Sequence, residues 1–113
     1  MDCVFCKIAK GEIPSEIIYE DDKVIAFKDQ DPQAPIHFLV IPKKHIDSND
    51  TLTDEDSFLI SHIFTVIRDI CRKLKVNQDG YRIVNNVGED GGQTVKHMHF
   101  HVLAKRSLNW PPG

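Results

Sequence analysis

The sequence predicts an α+β fold: a mainly antiparallel five-stranded sheet with one long helix and one short helix. Two observations carry this. Short β-type runs come in pairs with brief connections, and a single long amphipathic run interrupts them once.

Taken in order, residues 5–10 read as a short helix ending at Gly11, a residue suited to the turn after a helix. Residues 16–19 and 24–28 read as two strands of a hairpin, with Asp21 and Asp22 between them. The run Asp29-Gln30-Asp31-Pro32-Gln33-Ala34-Pro35 is a loop rich in turn formers, and residues 37–41 form a third strand stopped by Pro42. Thr51 or Thr53 caps the long helix, and Asp54, Glu55 and Asp56 favour its positive end. Leu59, Ile63, Phe64, Ile67, Ile70, Cys71 and Leu74 recur at helical spacing and define its buried face. Arg72, Lys73 and Lys75 suit its C-terminal end. Residues 81–85 are the fourth strand, residues 88–94 a glycine-bearing loop and residues 97–104 the fifth strand.

The 113 residues match one domain, spanning 1–113, long enough to bury a core without disulfides. Lysine and arginine number 14 against 17 acids, a net charge of −3. That balance speaks against a dedicated nucleic-acid binder but leaves room for a small anionic ligand. No apolar run approaches the ~20 residues of a membrane span, and the charged N-terminal segment does not read as a secretory signal. Three cysteines, an odd number, argue against a disulfide framework and for a cytoplasmic setting.

The run His97-Met98-His99-Phe100-His101 holds three of the six histidines. On a strand, alternate residues share a face, so the three imidazoles line up roughly 7 Å apart and Met98, Phe100 and Val102 face the core. A half-exposed strand with an incidental polar side is one reading. A three-histidine metal site is another, but side chains at this spacing rarely converge on one ion. Nucleophilic catalysis is the third: neutral imidazole attacks well near neutral pH, and a covalent intermediate divides a hard substitution into two steps. Gly91 and Gly92, just upstream, suit a loop whose backbone N–H groups cradle an anion, although Gly-Gly alone is usually a turn. Together the two features point to attack by histidine on a held phosphate.

The stretch from Gly91 through Gln93, Thr94, His97, His99 and His101 to Leu103 resembles the signature of the histidine triad family, His-apolar-His-apolar-His-apolar-apolar. The likeness covers nearly the whole chain. The ending Trp110-Pro111-Pro112-Gly113 resembles the Hint branch, the histidine triad nucleotide-binding proteins, more than the Fhit-like dinucleoside polyphosphate hydrolases. The resemblance implies a homodimer that hydrolyses nucleoside phosphoramidates and related adducts of purine nucleoside monophosphates such as AMP. It implies His99 as nucleophile and His101 as the contact to phosphate and leaving group, with His37 supporting the row. Asn86, Gly92, Gln93 and Thr94 match phosphate or leaving-group positions, and Asp29 the ribose carboxylate. Phe5, Ile8, Ile13, Phe27 and Leu39 match the walls of a purine pocket, though each also suits an ordinary core. Trp110 matches a residue that approaches the neighbouring subunit. His101 or a relay through Thr94 is expected to protonate the departing amine, and this chemistry needs no cofactor. Two other readings stand beside this one: a dinucleoside polyphosphate hydrolase, and a nucleotide-binding scaffold whose hydrolysis is incidental.

Cys3 and Cys6 form a Cys-x-x-Cys that follows no strand, which argues against redox use. A pair of small buried thiols beside Phe5 is one reading. A structural zinc needs four ligands, and resemblance to bacterial-type relatives implies Cys3, Cys6, His45 and His97. His97 would then be a metal ligand and not a catalytic base.

Overall fold

The structure, a computed structural model, describes residues 3–113. The elements are α1 (Val4–Ala9), β1 (Ile17–Glu20), β2 (Val24–Lys28), β3 (Ile36–Pro42), α2 (Ser57–Lys73), β4 (Tyr81–Val84) and β5 (Phe100–Ala104), with 3₁₀ turns at Asn49–Thr51 and Asp54–Asp56. The five strands form one sheet in the order β1-β2-β3-β5-β4, each antiparallel to its neighbour. The α+β architecture expected from the sequence is therefore the one observed.

Local chemistry sets the helix ends. Cys3 caps α1, its Sγ accepting the Cys6 N–H at 3.3 Å. The helix closes with Gly11 N–H on the Ile8 carbonyl and Glu12 N–H on the Lys7 carbonyl, at 3.0 and 2.8 Å. That closure needs a left-handed residue, and Gly11 has φ of +77°. Thr53 does form a capping box with Asp56, but around the 3₁₀ turn that leads into α2, while Thr51 closes a separate turn.

Along α2 the buried stripe is Ile63, Val66, Ile67, Ile70 and Cys71, a spacing of three and four. Phe64 and Leu74, expected on this face, fall one step off it and are 46% and 40% exposed. Phe64 rests edge-on against Phe100 at the margin, with ring centroids 5.6 Å apart.

The sheet has two unlike faces. On one, Val24, Ala26, Phe38, Val40, Phe100, Val102 and Ala104 pack under α2, joined by Met98. On the other, Ile25, Phe27, Leu39 and Ile41 pack under the short α1 through Phe5 and Ile8. A single-turn helix covers only part of that second face. His37 precedes Leu39 on this face, and His101 lies opposite Leu39 across the β3–β5 ladder.

The fifth strand is shorter than the expected 97–104. The last β3–β5 pair is Val40 with Phe100, so His97, Met98 and His99 lie outside the ladder. The same register would set Pro42 opposite Met98, and proline has no N–H to give. Met98 N–H donates instead to the Ile46 carbonyl at 2.6 Å, and the Pro42 carbonyl meets His97 Nε2 at 2.8 Å. The remaining boundaries move by a single residue: β1 starts and ends one later, β3 extends one at each end, and β4 stops at Val84.

The β1–β2 turn is fastened to α2 by Asp21. Its Oδ1 accepts the N–H groups of Lys23 and Val24, both at 2.8 Å, and its Oδ2 accepts Tyr19 OH at 2.7 Å and meets His62 Nε2 at 2.6 Å. Burial pushes the carboxyl pKa up, but the bonds from His62, Tyr19 and the turn backbone outweigh it and hold it well below its ordinary 3.8. The bonded form is the carboxylate. Its contribution is complete above the unfolded value of about 4 and fades as pH falls below it. Asp21→Ala should cost about 2 kcal/mol in urea unfolding at neutral pH, and the gap to wild type should narrow in acid. A gap that stays constant below pH ~4 contradicts this account.

Candidate active site

His99 is buried, 3% exposed. Its Nδ1 lies 2.7 Å from the His97 carbonyl oxygen. A carbonyl only accepts, so Nδ1 carries the proton and donates it, and Nε2 keeps the lone pair. Asn85 Nδ2 donates to the His99 carbonyl at 3.0 Å, taking the place of a ladder partner. Phe5 meets the imidazole edge-on, with centroids 5.1 Å apart. The side chain and peptide of His99 are thus both held. The sequence places Asn85 at the end of the fourth strand, and the doubled amide Asn85-Asn86 is the one signal there of a further role.

His101 stands beside His99, with ring centroids 5.1 Å apart. Its Nδ1 meets His37 Nε2 at 2.9 Å. Burial pushes the His101 pKa down, helped by His99 and His37 and opposed by Asp29, to about 4. Burial also lowers His37, against the pull of Asp29 and Asp31. Asp29 Oδ2 sits 3.4 Å from His37 Nε2 and 3.9 Å from His101 Nδ1, while its Oδ1 accepts the Asp31 N–H at 2.8 Å.

Among the described residues two groups bring three or more ligating atoms within 4.8 Å of one another: Cys3, Cys6, His45 and His97, and Asp29, His37 and His101. The tautomers separate them. In the first, His97 Nε2 faces the Pro42 carbonyl and His45 Nε2 faces the Asp47 carboxylate, each at 2.8 Å. Both Nε2 atoms therefore carry protons, and both Nδ1 lone pairs face sulfur: His97 Nδ1 is 3.4 Å from each thiol and His45 Nδ1 is 3.2 Å from that of Cys6. Tetrahedral zinc with Zn–S near 2.3 Å and Zn–N near 2.0 Å sets S···N edges of about 3.5 Å. The donor set and its outer partners fit zinc. A pocket of about 390 Å³ lined in part by Cys3, His45, Thr94 and Lys96 reaches two of the four. In the second group the Gln33 N–H donates to His37 Nδ1 at 3.0 Å, so His37 Nε2 carries the proton and points a hydrogen where an ion would sit. That group does not fit a metal.

The apolar positions Phe5, Ile8, Phe27 and Leu39 come together in one buried cluster, with Ile13 packed on its edge. Trp110 is 83% exposed. In the glycine loop, Gly92 N–H donates to the Glu89 carbonyl and Gln93 N–H to the Gly88 carbonyl, each at 3.0 Å. The Gln93 side chain accepts the Gly88 N–H and donates to the carbonyls of Asp47 and Val95 at 2.6 and 3.0 Å. These donors are engaged inside the protein, so Gly92 and Gln93 hold the loop in shape. The expected run of open amides is narrower than the sequence suggests. Thr94 is exposed, and Asn86 Nδ2 lies 3.9 Å from where a Cβ on Gly92 would be.

The protein family described as scavenger mRNA decapping enzyme C-term binding matches residues 2–109. A HIT-like protein of Synechocystis is 45% identical over 112 residues, 99% of this chain and 97% of that protein. The chain belongs to the histidine triad family. Among solved structures, a HIT family hydrolase from Legionella pneumophila is 46% identical with a TM-score of 0.98, covering 99% of this chain and 100% of its own. A histidine triad protein from Clostridium difficile is 53% identical with a TM-score of 0.94, covering 96% and 95%. A histidine triad nucleotide-binding protein from Candida albicans is 34% identical with a TM-score of 0.86, covering 97% and 83%. In sequence and fold this histidine triad protein is therefore like known HIT family hydrolases.

A Cβ on Gly91 would lie 2.3 Å from the Val87 carbonyl oxygen, well inside contact distance. Gly91→Ala must shift the loop that carries Thr94. It should lower kcat/KM at least tenfold, about 1.4 kcal/mol of transition-state stabilisation, with a smaller effect on the melting temperature. Unchanged kcat/KM would show that the loop shape does not matter to the reaction.

Proposed function

We propose that this histidine triad protein is a purine nucleotide-binding hydrolase of the Hint type, cleaving the P–N bond of nucleoside phosphoramidates through a nucleotidyl-histidine intermediate. The observation that carries the reading is the bond from His99 Nδ1–H to the His97 carbonyl, which puts the lone pair of the neutral ring on Nε2, the nitrogen that attacks.

The steps follow from that lone pair. His99 Nε2 attacks phosphorus, an N–P bond forms and the bond to the leaving amine breaks. The departing nitrogen takes a proton from solvent water by way of the exposed Thr94 hydroxyl. A second water then attacks phosphorus and yields its proton to the hydroxide left by the first, the P–N bond to His99 breaks, and the nucleoside monophosphate and neutral His99 are released. Asn86, the Thr94 N–H and His101 supply hydrogen bonds to the phosphoryl oxygens, and Asp29 accepts from the ribose hydroxyls. The purine lies against Phe5, Ile8, Ile13, Phe27 and Leu39.

Zinc belongs with Cys3, Cys6, His45 and His97. Two thiolates and two neutral imidazoles would hold it, and an ion so held would supply structural cross-linking and leave no open position for substrate. The working unit is a homodimer. β4 is an edge strand of the sheet, and its Arg82 donates to the carbonyl of Asn109, next to Trp110, which stands 83% exposed, an edge a second copy would cover. Cys3, Cys6 and Cys71 form no disulfide, in keeping with the cytoplasm.

His99→Ala should lower turnover of an adenosine phosphoramidate by on the order of 10⁴-fold or more with the melting temperature preserved; unchanged turnover removes the claim. Run side by side, the phosphoramidate should be hydrolysed faster than a diadenosine polyphosphate. The reverse order would favour a dinucleoside polyphosphate hydrolase. Elemental analysis of protein purified without a histidine tag should find zinc in one-to-one ratio with the chain, falling sharply in Cys6→Ser. Zinc-free wild type with full activity would dismiss the metal.

A further inference from the structure

We propose that the backbone N–H of Gln33 locks the His37–His101 pair in one tautomer, so that His101 meets the substrate phosphate as a neutral hydrogen-bond donor and not as a general acid. The tautomer stands on geometry alone; only the identity of what His101 meets rests on the phosphoryl chemistry above.

The lock is read outward from the loop. An amide N–H donates, and it does not surrender its proton. Because Gln33 N–H donates to His37 Nδ1 at 3.0 Å, that nitrogen is a lone pair and the proton of neutral His37 sits on Nε2. His37 Nε2 is 2.9 Å from His101 Nδ1, so Nδ1 accepts and the proton of neutral His101 sits on Nε2. One backbone amide thus decides which face of an imidazole two residues along the relay is armed.

Both routes to acid catalysis are then closed. Adding a proton at His101 Nδ1 would set two N–H groups head to head across 2.9 Å. His37 could relieve this only by moving its own proton to Nδ1, where the Gln33 N–H already points. Giving up the Nε2 proton of neutral His101 would leave an imidazolate, because His37 could refill it only by becoming one. The groups facing His101 are His99 from the segment just before β5, His37 from β3 and Asp29 from the loop, and of these only Asp29 favours a cation. Burial, which keeps the His101 pKa near 4, acts in the same direction.

The loop is built to hold the amide. Gln33 follows Pro32 and precedes Ala34-Pro35, two ring-constrained positions. Its carbonyl accepts Arg106 Nε–H at 2.9 Å, and its side-chain amide donates to the Asp31 carbonyl at 3.0 Å. Gln33 is a positioning residue through its backbone.

Nitrogen NMR of the full chain labelled with ¹⁵N-histidine tests this, assigned by comparison with His37→Asn and His101→Asn. At neutral pH both residues should show an unprotonated Nδ1 and a protonated Nε2, and the pattern should persist with saturating AMP. A proton on Nδ1 of either residue, or a doubly protonated His101 in the AMP complex, overturns the proposal. Gln33→Pro removes the N–H, so an Nδ1-protonated form of His37 should appear; a spectrum identical to wild type overturns the role of the amide. If that variant does not fold, the wild-type spectra still decide. They need no turnover, so they are read apart from whether a phosphoramidate is hydrolysed.

Discussion

The bond between His99 Nδ1 and the His97 carbonyl depends on where the sheet lets go of the chain. At Pro42, β3 runs out of N–H groups to offer, and the histidine segment leaves the ladder. Freed of pairing, the His97 peptide serves its neighbour two residues on, and the Pro42 carbonyl serves the His97 ring. One proline thus releases the backbone that sets the tautomers of two imidazoles. Asn85 restores the missing restraint on the other side by holding the His99 carbonyl.

The two faces of the sheet divide the labour. The face under α2 is a continuous apolar core, and its burial, about 1.5–3 kcal/mol for each large aliphatic side chain, supplies stability without taking part in chemistry. The other face is only partly covered, because α1 is a single short helix. That helix brings Phe5 against the rings of both His97 and His99 and places Cys3 and Cys6 beside His97. The Cys3-Cys6-His45-His97 cluster and the proposed nucleophile His99 therefore share one short peptide, residues 97–99, and whatever fixes the first steadies the second.

Much of this was legible in the sequence. Short β-type runs bounded by turn formers identify the strands, and spacing of three and four identifies α2. The histidine run announces the site. What the sequence conceals is three-dimensional pairing. Phe64 and Leu74 look like core because they are apolar at nearly helical positions, and only the orientation of α2 shows that Val66 takes the buried place. The histidine run looks like strand throughout because its alternation persists after the ladder ends. Gln93 looks like a ligand contact, yet its amide braces its own loop through Gly88 and Val95 and ties that loop to the distant Asp47 carbonyl. The amides of Gln33 and Asn85 act through the backbone or upon it, and such roles leave little trace in residue identity.

The central claim is that His99 Nε2 forms a covalent bond to phosphorus. Rapid-quench mass spectrometry of the intact protein mixed with an adenosine phosphoramidate measures this directly. The account predicts a pre-steady-state species heavier by one adenylyl group, located by peptide mapping to the segment containing His99 and absent in His99→Ala. Product released with no adduct at any time point, or an adduct on another residue, would contradict it.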